Sequence, residues 1–149
     1  MADIKQPLGG RTSLTVSALG TLASATYCVS STYPSNTNKP LDVAIEVEVA
    51  TTNTPASNKQ VVVFIKESLD GANFRSGPET GTTTTDEPNL LLLGVIPINT
   101  ASTTQRGTFN IAEALGYVPH SFKIVLKNEM GVALTSGAVF TCEITGTVT

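Results

Sequence analysis

The side chains that could perform acid–base chemistry are few and scattered along the chain. Carboxylates occur next to each other at Asp86 and Glu87, and one residue apart at Glu46 and Glu48. A glycosidase needs two carboxyl groups that flank one bond of its substrate. The first pair lies in a long polar stretch, and the second projects from the polar side of one predicted strand as an ordinary solvated edge. Neither pair therefore indicates a catalytic dyad.

Other titratable residues give no stronger indication of catalysis. His120 is the only histidine, and it lies in a predicted loop without a serine motif, a cysteine or a carboxylate cluster beside it. Such surroundings are typical of a surface histidine rather than of a general base or a metal ligand. We interpret Arg75 and Arg106 as partners of backbone groups or neighbouring side chains. The sequence thus predicts no catalytic residues and no enzyme activity.

Metal and cofactor sites are not predicted either. Asp70 and Asn73, with Glu67 before them, could supply oxygen ligands, but the twelve-residue calcium loop with alternating ligands and a closing glutamate is absent. Cys28 and Cys142 are far apart in the sequence, which excludes the ligand spacing of a zinc site. No glycine-rich loop precedes a helix, as a phosphate site would require. We therefore expect no metal and no cofactor.

The two cysteines leave two interpretations open. They are small buried hydrophobic residues, or they form a disulfide between an early and a late strand, which needs an oxidising compartment. Residues 1–11 are polar and glycine-rich, without an apolar stretch of signal-peptide length. We therefore predict free thiols at Cys28 and Cys142, and folding in a reducing cytoplasm.

The composition argues against two classes of partner. Charged residues make up 14% of the 149 residues and the net charge is −3, so the chain lacks the basic surface typical of nucleic-acid binding. It also lacks an apolar run long enough for a transmembrane helix. Its 23 Thr and 12 Ser instead suit exposed strand faces and turns. We expect neither nucleic acid nor a membrane as a partner.

The clearest structural pattern lies at Leu41–Ala50. Aliphatic and polar residues alternate there, so an extended chain has one apolar and one polar face. The aliphatic residues are Leu41, Val43, Ile45, Val47 and Val49. Val61–Lys66 is apolar on both faces, which predicts a central strand covered on both sides. Leu90–Ile98 is the most apolar segment, and we expect a buried strand with a bulge at Gly94.

Five further segments have strand patterns: Thr12–Ala18, Ala25–Ser31, Thr108–Ile111, Phe122–Leu126 and Ala138–Val148. Ala112–Gly116 is expected to be the only helical turn. About eight short strands without a long helix predict an all-β fold, an antiparallel two-sheet β-sandwich of the jelly-roll type. Residues 1–11 show no periodicity, and we predict an N-terminal arm that leaves a single sandwich domain at residues 12–149.

From Val61 onward, the order of short motifs resembles that of a group of structural proteins from tailed-phage virions. A turn motif comes first, followed by an apolar strand, a helical turn, a proline and a final strand block. The matching residues are Ser68, Asp70, Gly71, Asn73, Phe74, Asn89, Leu90, Leu92–Gly94, Phe109–Ala112, Ala114, Gly116, Pro119, Phe122–Gly131, Ala133 and Leu134. One departure is Phe122, since the group often has Trp in the strand after the proline.

The resemblance implies an assembly role and no catalytic residues. The chain is similar above all to head decoration, or cement, proteins, which bind the outer capsid shell at joints between its subunits. The resemblance implies the major capsid protein, or another virion protein, and copies of the chain itself as partners. The location it implies is the virion, assembled in the host cytoplasm. A tail or baseplate component and a carbohydrate- or receptor-binding module remain the alternatives.

Two features predict how such contacts are made. Ile4 and Leu8 are apolar residues in the otherwise polar arm, and Arg11 follows at the start of the first strand. We expect these three residues to contact a capsid subunit or an adjacent copy. In addition, the apolar residues on both faces of Val61–Ile65 and Leu90–Val95 exceed what two sheet interiors require. This excess predicts a homo-oligomer, a trimer or a dimer.

Overall fold

The computed structural model describes residues 4–5, 7–78 and 89–148, and within these ranges the chain is built from antiparallel strands. The strands are β1 (Ile4–Lys5), β2 (Thr12–Leu14), β3 (Tyr27–Val29), β4 (Asp42–Ala50), β5 (Gln60–Ser68), β6 (Leu91–Pro97), β7 (Gln105–Asn110), β8 (Ser121–Asn128), β9 (Ser136–Ile144) and β10 (Thr147–Val148).

Two four-stranded sheets form a sandwich, and β1 and β10 form a separate short pair. The first sheet has the order β2-β9-β4-β7 and the second has the order β3-β8-β5-β6. Except at the connection from β5 to β6, consecutive strands of the sandwich lie in opposite sheets. This is the connectivity of a jelly roll, so the predicted fold class is confirmed.

Strand β4 forms as its alternating pattern predicts. The four aliphatic residues from Val43 to Val49 are fully buried, while the polar side of the strand is only half-buried. Hydrogen bonding to β9 and β7 places β4 inside its sheet. Leu41 differs from the prediction, because it lies one residue before the strand begins and its side chain is exposed.

Strand β5 confirms the prediction of a strand covered on both faces. It pairs with β8 on one side and with β6 on the other. Its outer face belongs to a second, smaller apolar cluster that contains Tyr27, Val29, Phe64, Leu90 and Val125. Lys66 is fully buried, and its Nζ donates hydrogen bonds to the carbonyl oxygens of Gly77 and Pro78 at 3.1 and 3.0 Å. The connection after β5 therefore folds back against its own strand.

Strand β6 is an edge strand, which corrects the expectation of a buried strand. Among the described strands it pairs with β5 alone, and the side chains of Leu92 and Val95 are 58% and 41% exposed. The expected bulge is present, because the register shifts between Val63, which lies opposite Gly94, and Phe64, which lies opposite Leu92. An apolar composition alone does not distinguish a central strand from an edge strand. The strand order does.

Two short helices lie in the described part of the chain, α1 (Ser35–Asn38) and α2 (Ile111–Leu115), together with a 3₁₀ turn at Leu19–Thr21. Helix α2 is the predicted one, and it ends at Gly116, whose φ of 80° is left-handed. The expectation of a single helical turn is wrong. The N–H of Asn36 donates to the carbonyl oxygen of His120 at 2.9 Å, so a contact distant in sequence supports α1.

The described residues of the segment 1–11 pair with the C-terminal strands of the same chain, whereas the sequence predicts an arm that leaves the domain. Ile4 and Lys5 pair with Val148 and Thr147, and Leu8 forms a β-bridge with Ile144. The N–H of Gly9 donates to the carbonyl oxygen of Glu143 at 2.7 Å. The backbone groups of the final strands form hydrogen bonds with this segment. No pattern within residues 1–11 predicts that pairing, because the partner strands are distant in sequence.

Both cysteines are free, as predicted. Cys28 is fully buried in the core, and burial raises the pKa of its thiol to about 12. Cys142 lies on β9 and is half-buried. Because the thiolate is the reactive form, we expect iodoacetamide to label Cys142 in the native protein and Cys28 only after unfolding. Mass measurement without reductant checks this order, and an unlabelled pair after unfolding would indicate a disulfide instead.

Candidate interaction surface

The three residues predicted to contact a partner have different environments. Ile4 lies in β1 opposite Val148. Leu8 bridges Ile144 through its backbone, and its side chain is 63% exposed. Arg11 comes just before β2, and its guanidinium is bound within its own chain. Of these residues, Leu8 thus presents an apolar side chain to solvent, and its contact with a partner stays a prediction.

Arg11 belongs to a cluster on the outer face of the first sheet, here called the charged face (Arg11, Glu46, Glu48, Arg106 and Phe140). The guanidinium of Arg11 binds the carboxylates of Glu46 and Glu48 and lies 3.4 Å from the centroid of the Phe140 ring. Arg106 Nε donates to Glu48 Oε1 at 2.8 Å. This hydrogen bond is the main cause that lowers the pKa of Glu48, and Arg11 acts in the same direction.

The charged face corrects the interpretation of Glu46 and Glu48 as an ordinary solvated edge. Strand β4 lies between β9 and β7, so its outward carboxylates have neighbours on both sides. Arg106 lies directly opposite Glu48 in the register of β7. Arg11, just before β2, reaches both carboxylates across β9, and no spacing in the sequence predicts that pairing.

A polar cleft of about 410 Å³ lies between the N-terminal segment and α1. The hydroxyl of Tyr33 donates to Glu143, and Nδ2 of Asn38 lies 3.0 Å from both carboxylate oxygens of Glu143. Burial and the hydrogen bond to Glu143 raise the pKa of Tyr33. The backbone of Gly9 and Gly10 forms another wall. The sequence does not predict these cleft residues, because they lie on three separate segments of the chain.

A second feature is the open side of the sandwich, where β6 and β7 face each other from opposite sheets. The exposed large hydrophobic residues of β6, Leu92 and Val95, are here called the edge strip. Beside it runs a groove of about 550 Å³ lined by Leu92, Leu93, Thr108, Phe109, Asn110, Glu113 and Ala114. The bulge accounts for the spacing of the edge strip, because an extra residue brings positions three apart onto one face of the strand.

The turn after β5 uses its polar side chains internally. Oδ1 of Asp70 accepts hydrogen bonds from the N–H groups of Ala72 and Asn73 at 2.9 and 2.8 Å, and the hydroxyl of Ser68 donates to it as well. Arg75 binds both carboxylate oxygens of Glu67. The predicted turn is thus present, and its side-chain oxygens cap backbone groups.

His120 packs against this turn and lies half-buried rather than on the open surface. A Cβ added to Gly71 would lie 2.6 Å from its Cε1, and the φ of Gly71 is 81°. Among the described residues, no group of three or more His, Cys, Asp or Glu side chains is arranged to hold a metal ion. Asp86 and Glu87 lie outside the described residues.

The hydrogen bonds in the turn and on the charged face predict a dependence of stability on acid. Hydrogen bonds led by the N–H of Asn73 hold the pKa of Asp70 well below its usual range, and the pKa of Glu48 is also lowered. A carboxylate with a lowered folded-state pKa stabilises the fold above its unfolded pKa, and the contribution is lost as the pH falls through the folded value. We therefore expect the urea concentration at the unfolding midpoint to decrease once the pH is lowered below about 4.

The Asp70→Asn variant tests this dependence directly. Its urea midpoint should be lower than that of the wild type at pH 7, and the difference should shrink as the pH falls below about 4. Differences of equal size at neutral pH and in strong acid would show that the Asp70 carboxylate does not contribute.

Comparison with known proteins assigns the chain to no family. No protein-family model matches the chain, and no curated protein matches it. Within the part of the chain that the structure describes, no helix is long and apolar enough to cross a membrane.

Proposed function

We propose that this chain is a non-catalytic structural protein of a phage virion, which binds the capsid exterior as a decoration, or cement, protein. Its partners are the major capsid protein and further copies of the chain. The observation that carries the proposal is a tightly packed sandwich with large apolar side chains at its surface, Leu8 in the N-terminal segment and the edge strip on β6. Exposed apolar groups on a stable scaffold are typical of surfaces that bind other proteins.

The packing of the sandwich supports this role. Both sheets contribute fully buried residues to one continuous core, among them Ile45 of β4, Ile65 of β5 and Ile124 of β8. Close-packed interiors deform little under load. A stiff module that is present in many copies holds a shell together through contacts that are individually weak and act together.

The location of the protein on intact virions tests the proposal. We expect density for the chain at regular positions over the head lattice in electron cryomicroscopy of particles from the phage that encodes it. Purified protein added to particles stripped of it should restore that density. Density along the tail would replace the head assignment with the tail or baseplate alternative, and a chain missing from purified virions would overturn the proposal.

Leu8 is expected to contribute to attachment. The Leu8→Ser variant should bind stripped particles at least severalfold less than the wild type, because it removes an exposed apolar contact. Its melting temperature should stay within a few degrees, since substitutions of exposed side chains change stability little. Leu69→Ser is a matched control, because Leu69 is 73% exposed in the turn after β5. Equal occupancy of both variants would remove Leu8 from the attachment surface.

Deleting residues 2–10 tests the whole N-terminal segment. The deletion removes the β1–β10 pair and the bridge between Leu8 and Ile144, while the two four-stranded sheets keep all their strands. We expect the truncated protein to melt within a few degrees of the full-length chain and to lose occupancy on stripped particles. A collapsed melting transition would show that the segment is part of the fold instead.

The polar cleft favours a second candidate function, carbohydrate binding. Its amide, carboxylate and hydroxyl groups suit the hydroxyls of a sugar, and Tyr33 supplies one aromatic edge. A glycan array probed with the purified protein tests this candidate. Binding that is lost in the Asn38→Ala variant and kept in an Asn99→Ala control would support it, and a blank array would dismiss it.

A further inference from the structure

Strand β6 has the properties of a strand that pairs with another chain. Its backbone is hydrogen-bonded to β5 on one side, and no described strand pairs with its other side. The segment Leu91–Pro97 contains no charged residue, although inward or edge charges are the usual protection of an exposed strand. Pro97, which lacks an N–H group, comes only at the last position and leaves the preceding residues able to pair.

We propose that two copies of this chain associate through antiparallel pairing of β6 with its counterpart about a two-fold axis. In the register that places Leu92 opposite Val95 of the second copy, the same pair forms twice. The two edge strips then meet on one outer face, and four exposed apolar side chains cover each other. Pairing an edge strand in this way satisfies its backbone groups and buries its apolar side chains together.

The charges beside β6 suit this two-fold arrangement. Glu113 lines the groove next to Leu92, at one end of the strand. At the other end, the carbonyl oxygen of Lys59 accepts a hydrogen bond from the N–H of Ile98 at 2.7 Å. Glu113 and Lys59 are both exposed to solvent. Antiparallel pairing brings the Leu92 end of one strand to the Ile98 end of the other, so Glu113 and Lys59 of the second copy lie at the same end of the paired strands.

A parallel arrangement would instead bring like charges together at both ends. The charge pattern therefore favours a second copy in the antiparallel orientation.

This inference deepens the proposed assembly role, since it names the surface through which copies meet. Self-association is measured in solution, whereas attachment is measured on particles, so either can fail without the other. Sedimentation of the full-length chain over a range of concentrations should show a reversible monomer–dimer equilibrium. A chain that remains monomeric up to millimolar concentration overturns the inference.

Substitutions locate the contact. Leu92→Lys places one charge opposite Val95 in each of the two pairs, and so two like charges in the dimer contact, and should raise the dissociation constant of the dimer about tenfold or more. Leu69→Lys, at an exposed leucine outside β6, should leave the constant unchanged. Thermal melting of both variants confirms that they are folded. An unchanged constant for Leu92→Lys, or an equal effect of Leu69→Lys, would place the contact elsewhere.

A charge reversal tests the orientation. Glu113→Arg alone and Lys59→Glu alone should each weaken association severalfold, because each brings like charges together. The double variant restores opposite charges across the two-fold axis, and its dissociation constant should return to within about twofold of the wild type. Additive loss in the double variant would exclude the antiparallel pairing of β6.

Discussion

Replacing Asn128 with Leu is expected to lower the free energy of unfolding by about 3 to 5 kcal/mol. Asn128 is fully buried at the end of β8. Its Nδ2 donates to the carbonyl oxygens of Leu22 and Val132, both at 2.8 Å, and its Oδ1 accepts from the N–H of Met130 at 2.9 Å. Leu has a similar shape and none of these groups, so three backbone groups each lose a hydrogen bond, and the carbonyl oxygen of Leu22 keeps the one it accepts from the N–H of Leu134.

Thermal and urea unfolding measure this loss. For a chain of this size we expect the melting temperature to fall by about 10 °C. The matched control is Asn99→Leu at an exposed loop position, where the change should stay within about 0.5 kcal/mol. If the two variants have the same melting temperature, the hydrogen bonds of the Asn128 side chain do not stabilise the fold.

The second large effect is expected at Gly94. A Cβ added there would overlap Cε1 of Phe109 and lie 2.8 Å from its Cδ1. The Phe109 ring is packed against the core of the sandwich, so it has little room to move away. We therefore expect Gly94→Ala to lower the free energy of unfolding by about 1 to 3 kcal/mol, which is the usual cost of overpacking a core.

A second substitution separates this clash from a backbone effect. Phe109→Leu removes the ring, so Gly94→Ala should cost clearly less in that background than in the wild type, a coupling that a double-mutant cycle measures. Gly10→Ala is the control, because a Cβ there meets no atom within 4 Å. Purely additive effects at positions 94 and 109 would contradict the steric explanation.

Elements whose reasons are local could be predicted from the sequence. The alternation from Val43 to Val49 specifies which side of β4 is buried, because successive side chains of a strand point to opposite faces. The Asp-Gly turn after β5 and the end of α2 at Gly116 follow from residues that tolerate the backbone conformation those positions require. The eight strands of the two four-stranded sheets then follow from the spacing of such signals.

The candidate surfaces could be predicted only in part. Leu8 stands out in the sequence as an apolar residue in a polar segment, and its side chain is exposed. Arg11 stands out as well, yet its guanidinium is bound to Glu46 and Glu48 on its own sheet. Local sequence identifies an apolar or charged side chain, but its partners come from strands that are distant in the chain.

Strand β6 shows most clearly what only the tertiary structure decided. Its composition predicts a strand, and its seven residues form one. Whether such a strand lies inside a sheet or at its edge depends on whether a second strand pairs with its other side, and that choice is made by residues far away in sequence. The sequence by itself thus determined that the chain is an all-β protein of short strands and which faces of strands such as β4 are buried, because these depend on the period of each segment. The sheet order, and with it the exposure of Leu92 and Val95, depended on long-range pairing, which no local period encodes.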